Sequence, residues 1–328
     1  MSEEDDDIHF KNGYVIEGCK GKYIVEKLLG EGGFGAVYRV CEENDSKKLY
    51  AMKVEKKKEE RKDSKLKMEI AILKLVGSER QDKSHFTAIV DRGKKETYFF
   101  LVMQLVGKSL ADLKNKRPGK VFTPCTALSV SGQCLEAVQD LHKYGFLHRD
   151  LKPANYASGV AEKKRVVYIL DFGIARKYTN STGVMKTPRE KAKFKGTVKF
   201  ASLACHRNLE LSPKDDCESW FYLLMDVIQP LGLPWKRIQQ RDGVMHSKED
   251  CRRGDKKAKF FENLKCVKEL SKILEYLDKL QYYDKIDHEF IQKCLSLACI
   301  TEGGSMEDPY DWEKEDDNEK KEDEDKKD

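Results

Sequence analysis

His148-Arg149-Asp150-Leu151-Lys152-Pro153-Ala154-Asn155, answered downstream by Asp171-Phe172-Gly173, is the stretch on which the reading of this 328-residue chain turns. It sets an aspartate, a lysine and an asparagine on one short loop, with another aspartate about a strand later. That set suits phosphoryl transfer. Asp150 can accept the proton of an attacking hydroxyl, and Lys152 can neutralise charge on a transferring phosphate. Asn155 and Asp171 can hold Mg²⁺, a hard cation that prefers oxygen ligands. A lone His-Arg-Asp is an ordinary surface tripeptide; the spaced set is far more specific. His148 and Phe172 read as packing residues.

Upstream, Tyr23 to Leu29 reads as a strand that runs into Gly30-Glu31-Gly32-Gly33-Phe34-Gly35-Ala36-Val37. Glycines allow a tight turn and let backbone N–H groups approach phosphates. A dinucleotide-binding turn would need a helix straight after the glycines. Ala36 to Val40 is β-like instead, so a strand-loop-strand flap over ATP is expected. In the strand Leu49 to Val54, Lys53 lies among apolar residues and needs a partner. The helix expected from Asp63 to Val76 offers Glu69, bordering an inward face of Leu66, Ile70 and Leu73. Glu59 and Glu60 lie in a charge run and read as solvent-facing. Tyr98 to Met103 is a buried-type strand leading to a hinge at Gln104-Leu105-Val106-Gly107. With the glycine flap and the catalytic loop, this pattern resembles a protein kinase, and the resemblance implies that backbone groups near Leu105 would meet the adenine edge, that Met103 would border the pocket behind it, and that Val37 and Ala51 join the nucleotide-binding set. A helix from Pro124 to about Tyr144 is apolar on more than one face and reads as core. Val166 to Leu170 delivers Asp171, and Trp220 to Ile228 reads as another core helix.

Together these motifs resemble those of a eukaryotic protein kinase. Leu66-Lys67-Met68-Glu69, Gly145 to Asp150, Tyr178 to Gly183, Gly196 to Ser202, Lys214 to Ser219, Leu233-Pro234-Trp235 and Asp311-Trp312-Glu313 resemble the casein kinase I superfamily, particularly its tau-tubulin kinase branch. The likeness runs from about Gly21 to Lys314. It implies an α+β, two-lobed fold: a β-rich N-lobe over about 21–103, a hinge at 104–107 and a mostly helical C-lobe over 108–314. An acidic extension (1–20) and a charged, disordered tail (315–328) would flank it. The resemblance assigns Asp216 to bracing the catalytic loop backbone and Thr197 to hydrogen bonds with Asp150 and Lys152. Lys152 after the aspartate is the Ser/Thr rather than Tyr pattern. Ala-Pro-Glu is missing near Ala201-Ser202-Leu203, no arginine stands out near Asp287, and the family's asparagine is missing from Ser202 to Cys205. The implied activity is Ser/Thr kinase chemistry with ATP and Mg²⁺; a scaffold without turnover is the alternative.

Charge sharpens the expected partners. Net charge is +5, yet residues 3–7 are all acidic, and from Glu313 onward 10 acids face 5 lysines, leaving 15 surplus positive charges between them. Arg176, Lys177, Lys186, Arg189, Lys191, Lys193 and Lys195 crowd one segment. Such a body suits acidic or phosphorylated protein substrates. By resemblance, Arg189 matches a family arginine that binds an anion beside the substrate groove. The second basic residue expected of that site, after Leu233-Pro234-Trp235, falls near Gln239, with Lys236 and Arg237 adjacent. Arg149 ordinarily signals that an activation-segment phosphate, here on Thr179, Ser181, Thr182 or Thr187, completes the site; the basic patch implies activity without it. Zinc-finger, basic-zipper and aromatic RNA-binding signatures are absent, so no nucleic acid partner is expected. Nor is a membrane: no run of about 18 apolar residues occurs. The acidic start is no secretory signal. The 10 cysteines form no Cys-x-x-Cys pair, so reduced thiols and a cytoplasmic or nuclear location are expected. Separately, a monomer is expected.

Overall fold

A computed structural model describes residues 8–32, 35–57 and 64–313. The expected flap residues Gly33 and Phe34, together with Glu59, Glu60, Asp63 and the tail 315–328, lie outside the described residues.

The N-terminal lobe, under a third of the chain, is built on an antiparallel sheet of six strands: β1 (Val15–Glu17), β2 (Lys22–Gly32), β3 (Gly35–Glu42), β4 (Asp45–Lys56), β5 (Ile89–Lys94) and β6 (Tyr98–Gln104), in the order β1-β2-β3-β4-β6-β5. Alternation builds it: Tyr23 and Val25, then Ala36, Tyr38 and Val40, are buried on one face. In β6 the burial is continuous from Phe100 to Met103, because strands flank it on both sides and α1 (Lys65–Val76) packs near it. Ile72 and Val76, rather than Ile70, complete the buried face of α1 with Leu66 and Leu73, and Glu69 lies inside that face, not at its border.

The folded body does not begin near Gly21. Ile16 is buried in β1, which pairs with β2, and Phe10 stacks on Tyr14 at 4.8 Å. The Tyr38 hydroxyl donates to the Ile8 carbonyl at 3.0 Å. A few aromatic residues in a polar run are enough to close the outer face of the sheet; too few for a periodic signal.

Past the hinge, α2 (Leu110–Asn115) leads to α3 (Pro124–Lys143), which is buried along most of its length. Short strands follow: β7 (Phe146–Leu147), β8 (Tyr156–Ser158), β9 (Val167–Ile169) and β10 (Arg176–Lys177). β7 pairs with β10 and β8 with β9, so the catalytic loop and Asp171 hang from two small ladders. The rest is helical: α4 (Leu203–His206), α5 (Pro213–Ile228), α6 (Arg241–Asp250), α7 (Gly254–Phe260), α8 (Val267–Lys279) and α9 (His288–Thr301). α5 is buried almost throughout, as its apolar run requires. Asp311 reaches back to the start of α3, accepting from Thr123 N at 2.7 Å and Thr123 Oγ1 at 2.6 Å, while Trp312 packs on Phe122. The fold is α+β, a sheet lobe over a helical lobe. No helix among the described residues is long and apolar enough to cross a membrane.

Candidate active site

A cleft of about 430 Å³ lies between the two lobes. Gly30, Glu31, Gly32, Gly35, Val37, Ala51, Lys53, Glu69, Met103, Leu105, Asn155 and Asp171 all line it. Gly35 has a left-handed φ of +128, and a Cβ there would meet the Val54 carbonyl at 1.9 Å, so this corner of the flap requires glycine. Lys53 Nζ donates to Glu69 Oε2 at 2.6 Å and Asp171 Oδ1 at 3.1 Å. Burial alone would lower the Lys53 pKa, but Glu69 and Asp171 outweigh it and hold it above the ordinary value. Burial likewise disfavours the Asp171 carboxylate, yet Lys53 and the Gly173 amide keep its pKa below the usual range. Both groups are thus poised as ions, a fixed cation and anion suited to phosphate and metal.

Asp171 stands on left-handed backbone, φ 64, as does Arg149 at φ 70. Such strain persists where surrounding contacts impose it. Phe172 supplies one, packed between Phe86 at 6.1 Å and His148 at 5.5 Å. Asp216 supplies another. It is buried in the first turn of α5, where Ser212 and Asp215 form a capping box. Its carboxylate accepts from His148 N at 2.8 Å, Arg149 N at 2.9 Å and His142 Nε2 at 2.9 Å.

On the catalytic loop, Lys152 Nζ donates to Asp150 Oδ2 at 2.8 Å and to Thr197 Oγ1 at 3.1 Å, and Thr197 Oγ1 donates to Asp150 Oδ1 at 2.7 Å. Gly196, φ +97, permits this approach, since a Cβ there would meet the Arg149 carbonyl at 2.4 Å. Asn155 Nδ2 donates to the Asp150 carbonyl at 2.8 Å, which orients the side-chain carbonyl oxygen as its remaining ligand atom. One carboxylate and one amide oxygen are hard donors. They fit Mg²⁺, which takes few protein ligands and completes its shell with phosphate and water. Among the described residues no group of three or more His, Cys, Asp or Glu forms a metal site.

The activation segment departs from the sequence expectations. Arg189 is not a bare cation awaiting substrate: it pairs with Glu210, which also meets Arg176 Nε at 3.3 Å. Lys236 turns back onto the Leu231 carbonyl at 2.5 Å. The missing Ala-Pro-Glu tie has a counterpart built from other residues. Glu218 Oε1 accepts from Leu203 N at 3.1 Å, Tyr222 Oη at 2.6 Å and Arg252 Nη2 at 3.0 Å. Lys248, wholly buried, donates to the carbonyls of Val198 at 2.9 Å and Ala201 at 2.7 Å. Sequence reasoning also passed over cleft residues Thr87, Ser109 and Asp112. Ser109-Leu110-Ala111-Asp112 carries a helix-start spacing that could have flagged the last two; Ser109 caps α2 and donates to Asp112 Oδ2 at 2.6 Å. Thr87 has no local signal.

Comparison with known proteins agrees with this geometry. Residues 23–296 match the protein kinase domain family. A Caenorhabditis elegans protein named as a serine/threonine-protein kinase, ZK507.1, is 35% identical over 76% of this chain and 73% of its own length. The serine/threonine-protein kinase spe-6 of the same organism is 32% identical over 92% of this chain and 78% of its own. Another C. elegans protein, C03C10.2, named as a casein kinase I, is 29% identical over 89% and 83%. A protein kinase domain implies use of ATP, typically with Mg²⁺. With its lobes, cleft and catalytic loop arranged as described, this chain belongs to the protein kinase family and is a serine/threonine protein kinase.

Proposed function

We propose that this kinase transfers the γ-phosphoryl group of ATP to Ser and Thr hydroxyls of acidic or already phosphorylated proteins, and that it does so without phosphorylation of its own activation segment. We place it in the casein kinase I superfamily, nearest the tau-tubulin kinase branch, on the motifs quoted above. The observation that carries the reading is the Lys152–Thr197–Asp150 hydrogen-bonded chain beside a cleft in which Lys53, Glu69 and Asp171 are joined.

Thr197 and Lys152 hold the Asp150 carboxylate in one orientation, from which it takes up the proton of the substrate hydroxyl. Lys152 then offsets negative charge building on the transferring group. Lys53, kept charged by two carboxylates, positions phosphates, and Asp171 with Asn155 would hold the metal. Bound Mg-ATP supplies the phosphoryl group and compensates its charge.

The substrate preference rests on the basic segment and on Arg189, which stays half exposed, 48%, while paired with Glu210. Arg189→Ala is expected to raise KM for acidic or phosphorylated peptides about tenfold, with much less effect on neutral ones, and added salt should shrink the gap. An equal rise in KM for both peptide classes would assign Arg189 to loop structure alone, since the substrate contact is read in KM and not in kcat. The ten cysteines are free, which supports a reducing cytoplasmic or nuclear setting, and we expect a monomer.

A further inference from the structure

Four charged residues around the activation segment form a cluster that phosphoryl transfer does not itself use. Arg149 precedes the catalytic aspartate, and its Nε donates to the Ile174 carbonyl at 2.8 Å. Arg176 and Arg189 reach opposite oxygens of one carboxylate, Glu210. The Glu210 side chain is only 7% exposed, against 32% for Arg176 and 48% for Arg189, so the anion lies inside and the cations cover it. Burial, Arg176 and Arg189 disfavour the charge on Arg149, while Asp216 and Glu210 favour it. All four therefore sense one another. A carboxylate withdrawn from water is costly unless paired, and here two guanidiniums pair it. They come from β10 and from the far side of the loop that carries Thr179, Ser181, Thr182 and Thr187. Glu210 itself lies in the connection between α4 and α5, outside that loop.

We propose that Glu210 is a built-in anion for the activation segment: a positioning residue whose carboxylate clamps Arg176 and Arg189 beside Arg149 and holds the segment against the catalytic loop with no phosphate on it. This rests on the kinase reading above and gives phosphorylation-independent activity a physical cause. A carboxylate carries one negative charge where a phosphate carries nearly two. The cluster is left cationic, in keeping with an acidic substrate at exposed Arg189.

The test uses the full chain, treated with phosphatase, with Mg-ATP and a neutral serine peptide. Glu210→Gln keeps the shape and removes the charge; Glu210→Asp keeps the charge on a shorter arm. Glu210→Gln is expected to lower kcat about tenfold or more while KM for ATP stays within about twofold, with Glu210→Asp recovering part of the loss. Millimolar sulfate should raise kcat of Glu210→Ala several-fold over potassium chloride of equal ionic strength and leave the wild type unchanged. Melting temperatures of all variants separate this from unfolding, and Glu210→Gln carries the test should the alanine variant not fold. A fully active Glu210→Gln beside an active wild type would overturn the clamp alone, as would a folded Glu210→Ala that sulfate does not lift. A wild type silent after phosphatase treatment would overturn the phosphorylation-independent reading and the clamp with it.

Discussion

Lys53 and Lys248 are both lysines withdrawn from water, one in each lobe, and they are held in opposite ways. Lys53 meets two carboxylates, and its pKa is raised. Lys248 meets two backbone carbonyls and His206 Nε2 at 3.1 Å, with the rings of Tyr222 and Trp235 at 4.7 and 5.3 Å. Burial pushes its pKa down to about 7, with Glu218 pulling the other way. The surroundings decide what the same side chain does. Paired with anions at the edge of an open cleft, a lysine is a charge that a phosphate can borrow. Enclosed by neutral groups, it is a structural strut that donates to the Val198 and Ala201 carbonyls. We therefore assign Lys53 to chemistry and Lys248 to holding the segment around Val198 and Ala201.

Separating the two roles should separate the defects. Lys53→Met is expected to cost about a thousandfold or more in the turnover of folded protein, roughly 4 kcal/mol of transition-state stabilisation, and also to lower the melting temperature, because buried Glu69 loses its partner. Near-normal turnover in that variant would break the comparison from the cleft side. Lys248→Met leaves the Val198 and Ala201 carbonyls without their buried donor and should destabilise the fold by about 2–3 kcal/mol in urea titrations. Its KM for ATP should stay near wild type while KM for protein substrate rises. An unchanged midpoint would show that the strut is dispensable.

The smallest effect concerns pH. Burial disfavours the Asp216 carboxylate, but the hydrogen bond from His142 and those from the loop backbone outweigh it, so its folded pKa lies below the ordinary 3.8. The folded state therefore binds fewer protons than the unfolded chain near that pH. Its stabilisation is present above about 3.8 and lost as pH falls through the folded pKa. Asp216→Asn should be less stable than wild type by about 1–3 kcal/mol at pH 6, and the gap should narrow towards pH 3. A pH-independent gap, read from paired urea melts, would mean that the charge of Asp216 is not what braces the loop.

The same comparison marks what could be read from residue order. Lys53 sits mid-strand among apolar residues, where a charge is conspicuous. Asp150, Lys152, Asn155 and Asp171 keep spacings imposed by one loop and one short strand; Lys152 and Asn155 both meet Asp150, and Asn155 and Asp171 line one cleft. Lys248 was invisible because Ser247-Lys248-Glu249-Asp250 reads as a solvated helix face. Its burial comes from Val198, Ala201, Tyr222 and Trp235, far along the chain. Glu210 and the Glu218–Arg252 pair escaped for the same reason: an ion pair between distant segments leaves no periodicity. Glu69 was legible as a partner but not in depth, since a helix pattern shows which face turns inward and not how far the next layer covers it.

The most direct test of the account is phosphoryl transfer by the phosphatase-treated wild-type chain, set beside Asp171→Asn. Both would receive radiolabelled Mg-ATP and an acidic protein such as casein. The account predicts label on serine and threonine from the wild type, and a rate lower by tens- to a thousandfold, about 2–4 kcal/mol, from a variant that melts at the same temperature. Equal labelling by both proteins, or none by the wild type, would contradict it.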